Sequence, residues 1–141
     1  MAEFVLDGSV TLAWYFRDEV SAYATAVLDH LPSARALVPA VWPLEIGNGV
    51  LSGERRRRST EAQAERWLGY LLGLPITVDA RGVAELWGEV LGLARRFGLS
   101  AYDAAYLELA LRRDLPLATL DRRLQEAAAA AGVAAYRPGR A

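Results

Sequence analysis

Four short apolar runs, separated by stretches with helical spacing, leave this chain few ways to fold. The runs lie at residues 4–6, 36–39, 75–79 and 115–121. The first reads as a buried strand and the other three as short strands, the last with a polar cluster at its end. The segments between them follow the other period. Residues 10–16 resume after a Gly turn, residues 21–31 end at Pro32, and the segment opening at Trp42 carries Pro43 in its first turn. Residues 61–74 set Ala64, Trp67, Leu68, Leu71 and Leu72 on one stripe. Residues 83–97 stop at Gly98, residues 101–113 start behind Ser100, and the alanine-rich 122–131 closes at Gly132 ahead of a last predicted strand at 133–136. Strands alternating with helices imply parallel strands joined by right-handed crossovers. The predicted class is α/β in three layers, a central, mostly parallel sheet flanked by helices, and 141 residues at 53% hydrophobic content suit one domain over 1–141.

Composition removes several chemistries. There is no cysteine, which excludes disulfides, thiolate nucleophiles and Cys-based zinc sites. All 16 basic residues are arginine, which removes the phosphate-loop lysine and Schiff-base chemistry. The single histidine, His30, falls in a surface helix, so Ser-His-Asp and paired-histidine catalysis are poor fits. A net charge of −1 argues against coating nucleic acid by bulk attraction but leaves room for a local patch. The first residues have neither a basic leader nor a long apolar core, and no uninterrupted apolar run is long enough to span a membrane, so a cytoplasmic protein is expected.

One acid stands in an unexpected place. Ser100 and Asp103 have the spacing of a capping box, which accounts for both by itself. At about 100° per residue, however, Asp103 falls amid Tyr106, Leu107, Ala110 and Leu111, whereas Glu108 and Arg112 fall on the opposite side. An unpaired carboxylate on a buried face must neutralise itself or find a cation.

Three more acids have comparable addresses. Asp7 follows the first strand, Glu45 lies in the first turn of a helix, and Asp121 follows a later strand, at the carboxyl edge where parallel sheets open their crevice. Singly, Asp7 and Asp121 are explained as helix caps, and Glu45 and Asp103 as complements to helix dipoles. Together they would repel, and carboxylates sharing a site either raise their pKa values or recruit a divalent cation. An all-oxygen site suits Mg²⁺ or Mn²⁺. Ser9, Asn48 and Thr119 stand near these acids in sequence, placed either to orient a carboxylate or to cap a turn.

Asp7-x-Ser9, Glu45-x-x-Asn48, the run from Ala101 through Tyr106, and Thr119-x-Asp121-Arg122-Arg123-Leu124 resemble, in order and spacing, the motifs of PIN-domain ribonucleases. The resemblance is greatest to VapC-like toxins of type II toxin–antitoxin pairs and runs from Phe4 to Tyr136. It implies a Mg²⁺- or Mn²⁺-dependent endoribonuclease that hydrolyses RNA phosphodiesters, with Asp7, Glu45, Asp103 and Asp121 as the acidic pocket. Asp7, Asp103 and Asp121 would be the metal ligands and Ser9, Asn48 and Thr119 would support them. It further implies a cognate antitoxin and a homodimer. Arg55, Arg56, Arg57 and Arg58 are candidate contacts for RNA phosphates or an acidic stretch of antitoxin, beside the plainer reading of a solvated helix end. Trp14, Trp42, Trp67 and Trp87 read as core or interface, with the Trp67 helix able to line a groove for an antitoxin helix. The alternative function is a non-catalytic PIN-like module that binds RNA or protein.

Overall fold

A computed structural model describes residues 1–16, 18 and 21–139. Its centre is β1 (Ala2–Leu6), whose Phe4, Val5 and Leu6 are fully buried. Burial on both faces is why this strand is a continuous apolar run. It pairs in parallel with β2 (Ala34–Pro39) on one side, Phe4 opposite Ala36, and with β4 (Leu117–Ala118) on the other, Val5 opposite Leu117. Beyond β2 lies β3 (Ile76–Asp79), giving the order β3-β2-β1-β4. The chain steps outward from β1 through β2 to β3 and then returns to the opposite side of β1. That reversal makes the carboxyl ends of β1 and β4 the place where the layers part.

Helices follow each strand. A turn at Asp7 enters α1 (Gly8–Tyr15); α2 (Ala22–His30), capped by Ser21, leads back to β2. After β2 come α3 (Trp42–Arg55) and α4 (Glu61–Leu72), the latter closed at its start by a reciprocal Thr60/Gln63 capping box. Close approach of α1 to α3 needs glycine twice: a Cβ on Gly49 would stand 2.6 Å from Leu12 Cδ2, and one on Gly53 2.7 Å from the Phe16 ring.

The segment predicted as one helix at 83–97 is three pieces in sequence. A short α5 (Val83–Glu85) passes into a π-helical stretch (Leu86–Val90) and then α6 (Leu91–Phe97), which ends at left-handed Gly98. Next, α7 (Ala101–Arg113) buries Ala104, Tyr106, Leu107, Leu109 and Ala110 against the sheet. Finally α8 (Arg122–Ala130) is capped by Asp121, whose carboxylate accepts from Leu124 N–H at 3.0 Å.

The structure corrects four expectations. Residues 133–136 are not a strand: Ala135 makes one isolated parallel bridge to Leu117, while Tyr136 stacks on Phe4 with centroids 3.9 Å apart. The two consecutive alanines give that segment little to bury, and a turn at Pro138 and Gly139 follows. Strand β4 is shorter than predicted because Pro116 has no N–H for the ladder and Thr119 turns toward Asp7. Glu108 is not on a solvent face but only 4% exposed, and Trp87 is not core but 71% exposed. Both reversals have one cause, the position of the 83–97 segment: it packs over the side of α7 that carries Glu108 and leaves Trp87 outward.

Candidate active site

Asp7 occupies the N-cap position of α1 but does not cap it. Its Oδ2 instead accepts from Ser9 Oγ at 2.6 Å and from Thr119 Oγ1 at 2.7 Å. Each hydroxyl in turn accepts a backbone N–H, Ser9 from Leu120 across the gap at 2.9 Å and Thr119 from Asp121 within its own turn at 3.0 Å. Four groups are thereby satisfied in one ring that ties the end of β1 to the end of β4. Burial nevertheless dominates at Asp7: it pushes the carboxyl above its ordinary value, against the pull of both hydroxyls and of the Gly8 and Ser9 N–H groups.

Glu45 arrives from the first turn of α3. Its Oε1 accepts from the Tyr106 hydroxyl at 2.6 Å, and Tyr106 is wholly buried. Tyr106 therefore clamps α3 to α7. Gly8, in the turn after Asp7, lies close against the same phenol oxygen, where a Cβ would stand 3.6 Å away. Burial first, then the Glu45 hydrogen bond and charge, hold its proton far above the ordinary phenol range. Burial also raises Glu45, assisted by the charges of Asp7 and Asp103 and opposed by the Tyr106 bond.

Asp103 sits in the first turn of α7, with its N–H donating to Ser100 Oγ at 3.0 Å. Its carboxyl is raised by burial and by the charges of Asp7 and Asp121, and lowered by Ser100 and Arg123. These mutual influences bring all four predicted acids together: Asp7 and Asp103 act on Glu45, and Asp7 and Asp121 on Asp103. Among the described residues no three of them converge in a ready-made ligand cage. Asp7 is held by its two hydroxyls, Glu45 by Tyr106 and Asp121 by its helix cap.

Ser9 and Thr119 stand where their spacing placed them. Asn48 shares a helix with Glu45 but is exposed and makes no side-chain hydrogen bond among the described residues. The arginine run lies elsewhere. Arg55 ends α3, ten residues or about 15 Å along the helix from Glu45. Arg57 adopts a left-handed turn, while Arg58 lies 4.1 Å over the Phe16 ring and pairs with Asp18 at 2.8 Å. Tyr106 is the site residue that sequence reasoning passed over. It read as one more apolar-face residue, although a buried phenol usually takes a hydrogen-bond partner and this one is three residues beyond Asp103.

Among known proteins, the PIN domain profile matches residues 4–130. The chain belongs to the PIN domain family. Over 124 residues it is 30% identical to Ribonuclease VapC3 of Pyrobaculum aerophilum, covering 88% of this chain and 93% of that protein. The crystal structure of PAE2754 from the same organism superposes with a TM-score of 0.68 at 28% identity, covering 89% of this chain and 86% of that one. Two more distant structures share the fold: a toxin–antitoxin complex from Klebsiella pneumoniae (TM-score 0.60, 14% identity, 84% and 86% covered) and FitAcB from Neisseria gonorrhoeae (0.63, 20%, 98% and 99%).

Proposed function

We propose that this PIN domain protein is a metal-dependent endoribonuclease, the toxin of a type II toxin–antitoxin pair, acting as one domain with Asp7, Glu45, Asp103 and Asp121 as its acidic pocket. The observation that carries the reading is three desolvated carboxylates, Asp7, Glu45 and Asp103, each raised by burial and the last two raised further by their neighbours' charge. Holding such a set together is costly unless a cation joins it. Its donors are all oxygen, the set that Mg²⁺ or Mn²⁺ prefers. Asp7, Asp103 and Asp121 would hold the ion. When bound, the ion would supply neutralisation of the phosphate charge and a water that is nucleophilic at neutral pH, for which this site has no histidine base.

The chain's own residues do the rest. Ser9 and Thr119 fix one oxygen of Asp7, leaving the other to face the pocket. Tyr106 occupies Oε1 of Glu45, so the second oxygen of that carboxylate orients the attacking water for in-line displacement at the phosphodiester. The ribonuclease name of the Pyrobaculum relative supports RNA as substrate, and the toxin–antitoxin neighbour supports a cognate antitoxin partner. The protein would work as a homodimer in the cytoplasm, and no helix among the described residues is long and apolar enough to cross a membrane. The open arrangement of the acids favours one alternative, a non-catalytic module that binds RNA or protein. Asp7→Asn separates the two: the endoribonuclease loses metal-dependent cutting of single-stranded RNA while its unfolding transition remains cooperative. Undiminished cutting by that variant refutes the assignment.

A further inference from the structure

A cavity of about 340 Å³ opens between α7, the β2–α3 connection and the 83–97 segment. Its size is at the lower end of small-ligand sites, room for one flat heterocycle. Trp87 and Tyr102 flank its mouth, 71% and 63% exposed. Two large aromatic rings left in water beside an apolar hollow are unusual for a surface whose other aromatic rings mostly find cover. Trp87 is carried on the π-helical stretch, where the N–H of Leu91 reaches back to the carbonyl of Leu86. Such bulges cost helix regularity and recur at functional sites.

The floor is polar and unevenly satisfied. Glu108 accepts from Arg112 Nε at 2.9 Å, and Asp79 accepts from Arg112 at 2.9 Å and from Arg113 at 3.1 Å. Arg81 donates to Glu89 at 2.6 Å, but its Nε is buried without a hydrogen-bond partner, 3.7 Å from the nearest Glu108 oxygen. The carboxylates of the floor are engaged and a guanidinium donor is left over. What the floor lacks is an acceptor.

The cavity also adjoins the acids. Tyr102 directly precedes Asp103, and Val41 immediately precedes the helix whose first turn bears Glu45. Single-stranded RNA is read by splaying bases onto aromatic rings and hydrogen-bonding their edges. We propose that this cavity is a nucleobase subsite, receiving one unstacked base of the RNA strand next to the scissile phosphate, with Trp87 and Tyr102 as stacking partners and Arg81 facing a base carbonyl. Guanine, uracil and cytosine carry such a carbonyl and adenine does not, so the subsite discriminates against adenine.

The inference rests on the ribonuclease reading for its ligand, and the test separates the two. Asp7→Asn protein is titrated in Mg²⁺ with a short labelled single-stranded RNA in which one nucleotide at a time is made abasic. One position should matter, its loss weakening binding by about tenfold, the scale of a single base–aromatic stack. Adding Trp87→Ala should weaken binding of intact RNA similarly and abolish the penalty at that position, and Tyr102→Ala should do the same in part. Adenine at that position should bind several-fold more weakly than guanine or uracil. Penalties that simply add, or no binding of RNA at all, overturn the subsite. So does a change of oligomeric state in Trp87→Ala, by light scattering, with RNA binding intact: the cavity is then an interface between copies. Coupled losses in a protein that never cuts RNA leave the subsite standing and remove the nuclease; cutting without coupled losses does the reverse.

Discussion

Tyr106→Phe removes one oxygen atom from a fully buried position, and its cost follows from the bond that oxygen makes to Glu45. The 2.6 Å bond to Glu45 is charge-assisted, a class worth roughly 1.5–3 kcal/mol. Water cannot replace Tyr106's side of it, because the ring is wholly buried, but Glu45 is half-buried and recovers some hydration, which places the loss at the lower end. A destabilisation of about 2 kcal/mol is expected in urea unfolding, without a change in slope. The decisive assay is the cycle Tyr106→Phe, Glu45→Ala and the double variant, with a coupling of about 1 kcal/mol or more expected. Cleavage kinetics should move with it: Tyr106→Phe frees Glu45 and lowers kcat about tenfold with little change in KM. Additive stabilities together with an unchanged kcat would refute the clamp.

Three further outcomes follow from the geometry. Asp7, Glu45 and Asp103 are all raised, so the folded chain holds their protons more tightly than the unfolded one. Their contribution to the stability of the metal-free protein is therefore fully present below the ordinary carboxylate range, about pH 4, and is lost as pH rises through the raised folded values; chemical denaturation along a pH series, compared with Asp103→Asn, checks the sign, the variant losing part of that slope. Glu108→Gln leaves Arg112 and Arg81 facing a neutral amide at a 4% exposed site, and a loss of about 2–4 kcal/mol is expected by thermal or urea unfolding. Gly49→Ala drives a methyl to within 2.6 Å of Leu12, and overpacking of about 1–3 kcal/mol is expected in the same assays, reduced by Leu12→Ala in the double variant.

Much of this was legible in the chain because strand ends and helix starts carry their own marks. Asp7 and Asp121 stand at the ends of apolar runs, and Glu45 and Asp103 in first turns, so a parallel sheet alone gathers them at one edge. Ser9 and Thr119 were readable for the same reason. Residues whose roles depend on a neighbour distant in sequence were not. The helical wheel sets Glu108 opposite Asp103, which is correct for an isolated helix, but the 83–97 segment covers that side and converts a solvent face into a buried ion-pair network. Trp87 has the spacing of a core residue, and the π-helical stretch turns it outward. Tyr106 was placed on the right face, but its hydroxyl's partner lies 61 residues away in sequence. At 133–136 strand propensity competes with the absence of a long partner, since β4 offers only two residues, and a single bridge is what forms.

The most direct test of the account is cleavage of end-labelled total small RNA by the purified chain in Mg²⁺ or Mn²⁺, run beside an EDTA arm and an Asp103→Asn variant of matched folded fraction. The account predicts discrete cuts that vanish in EDTA and in the variant. Cuts that survive Asp103→Asn, or a folded, antitoxin-free protein that cuts none of the RNA offered, would contradict the claim that the gathered acids form a ribonuclease centre.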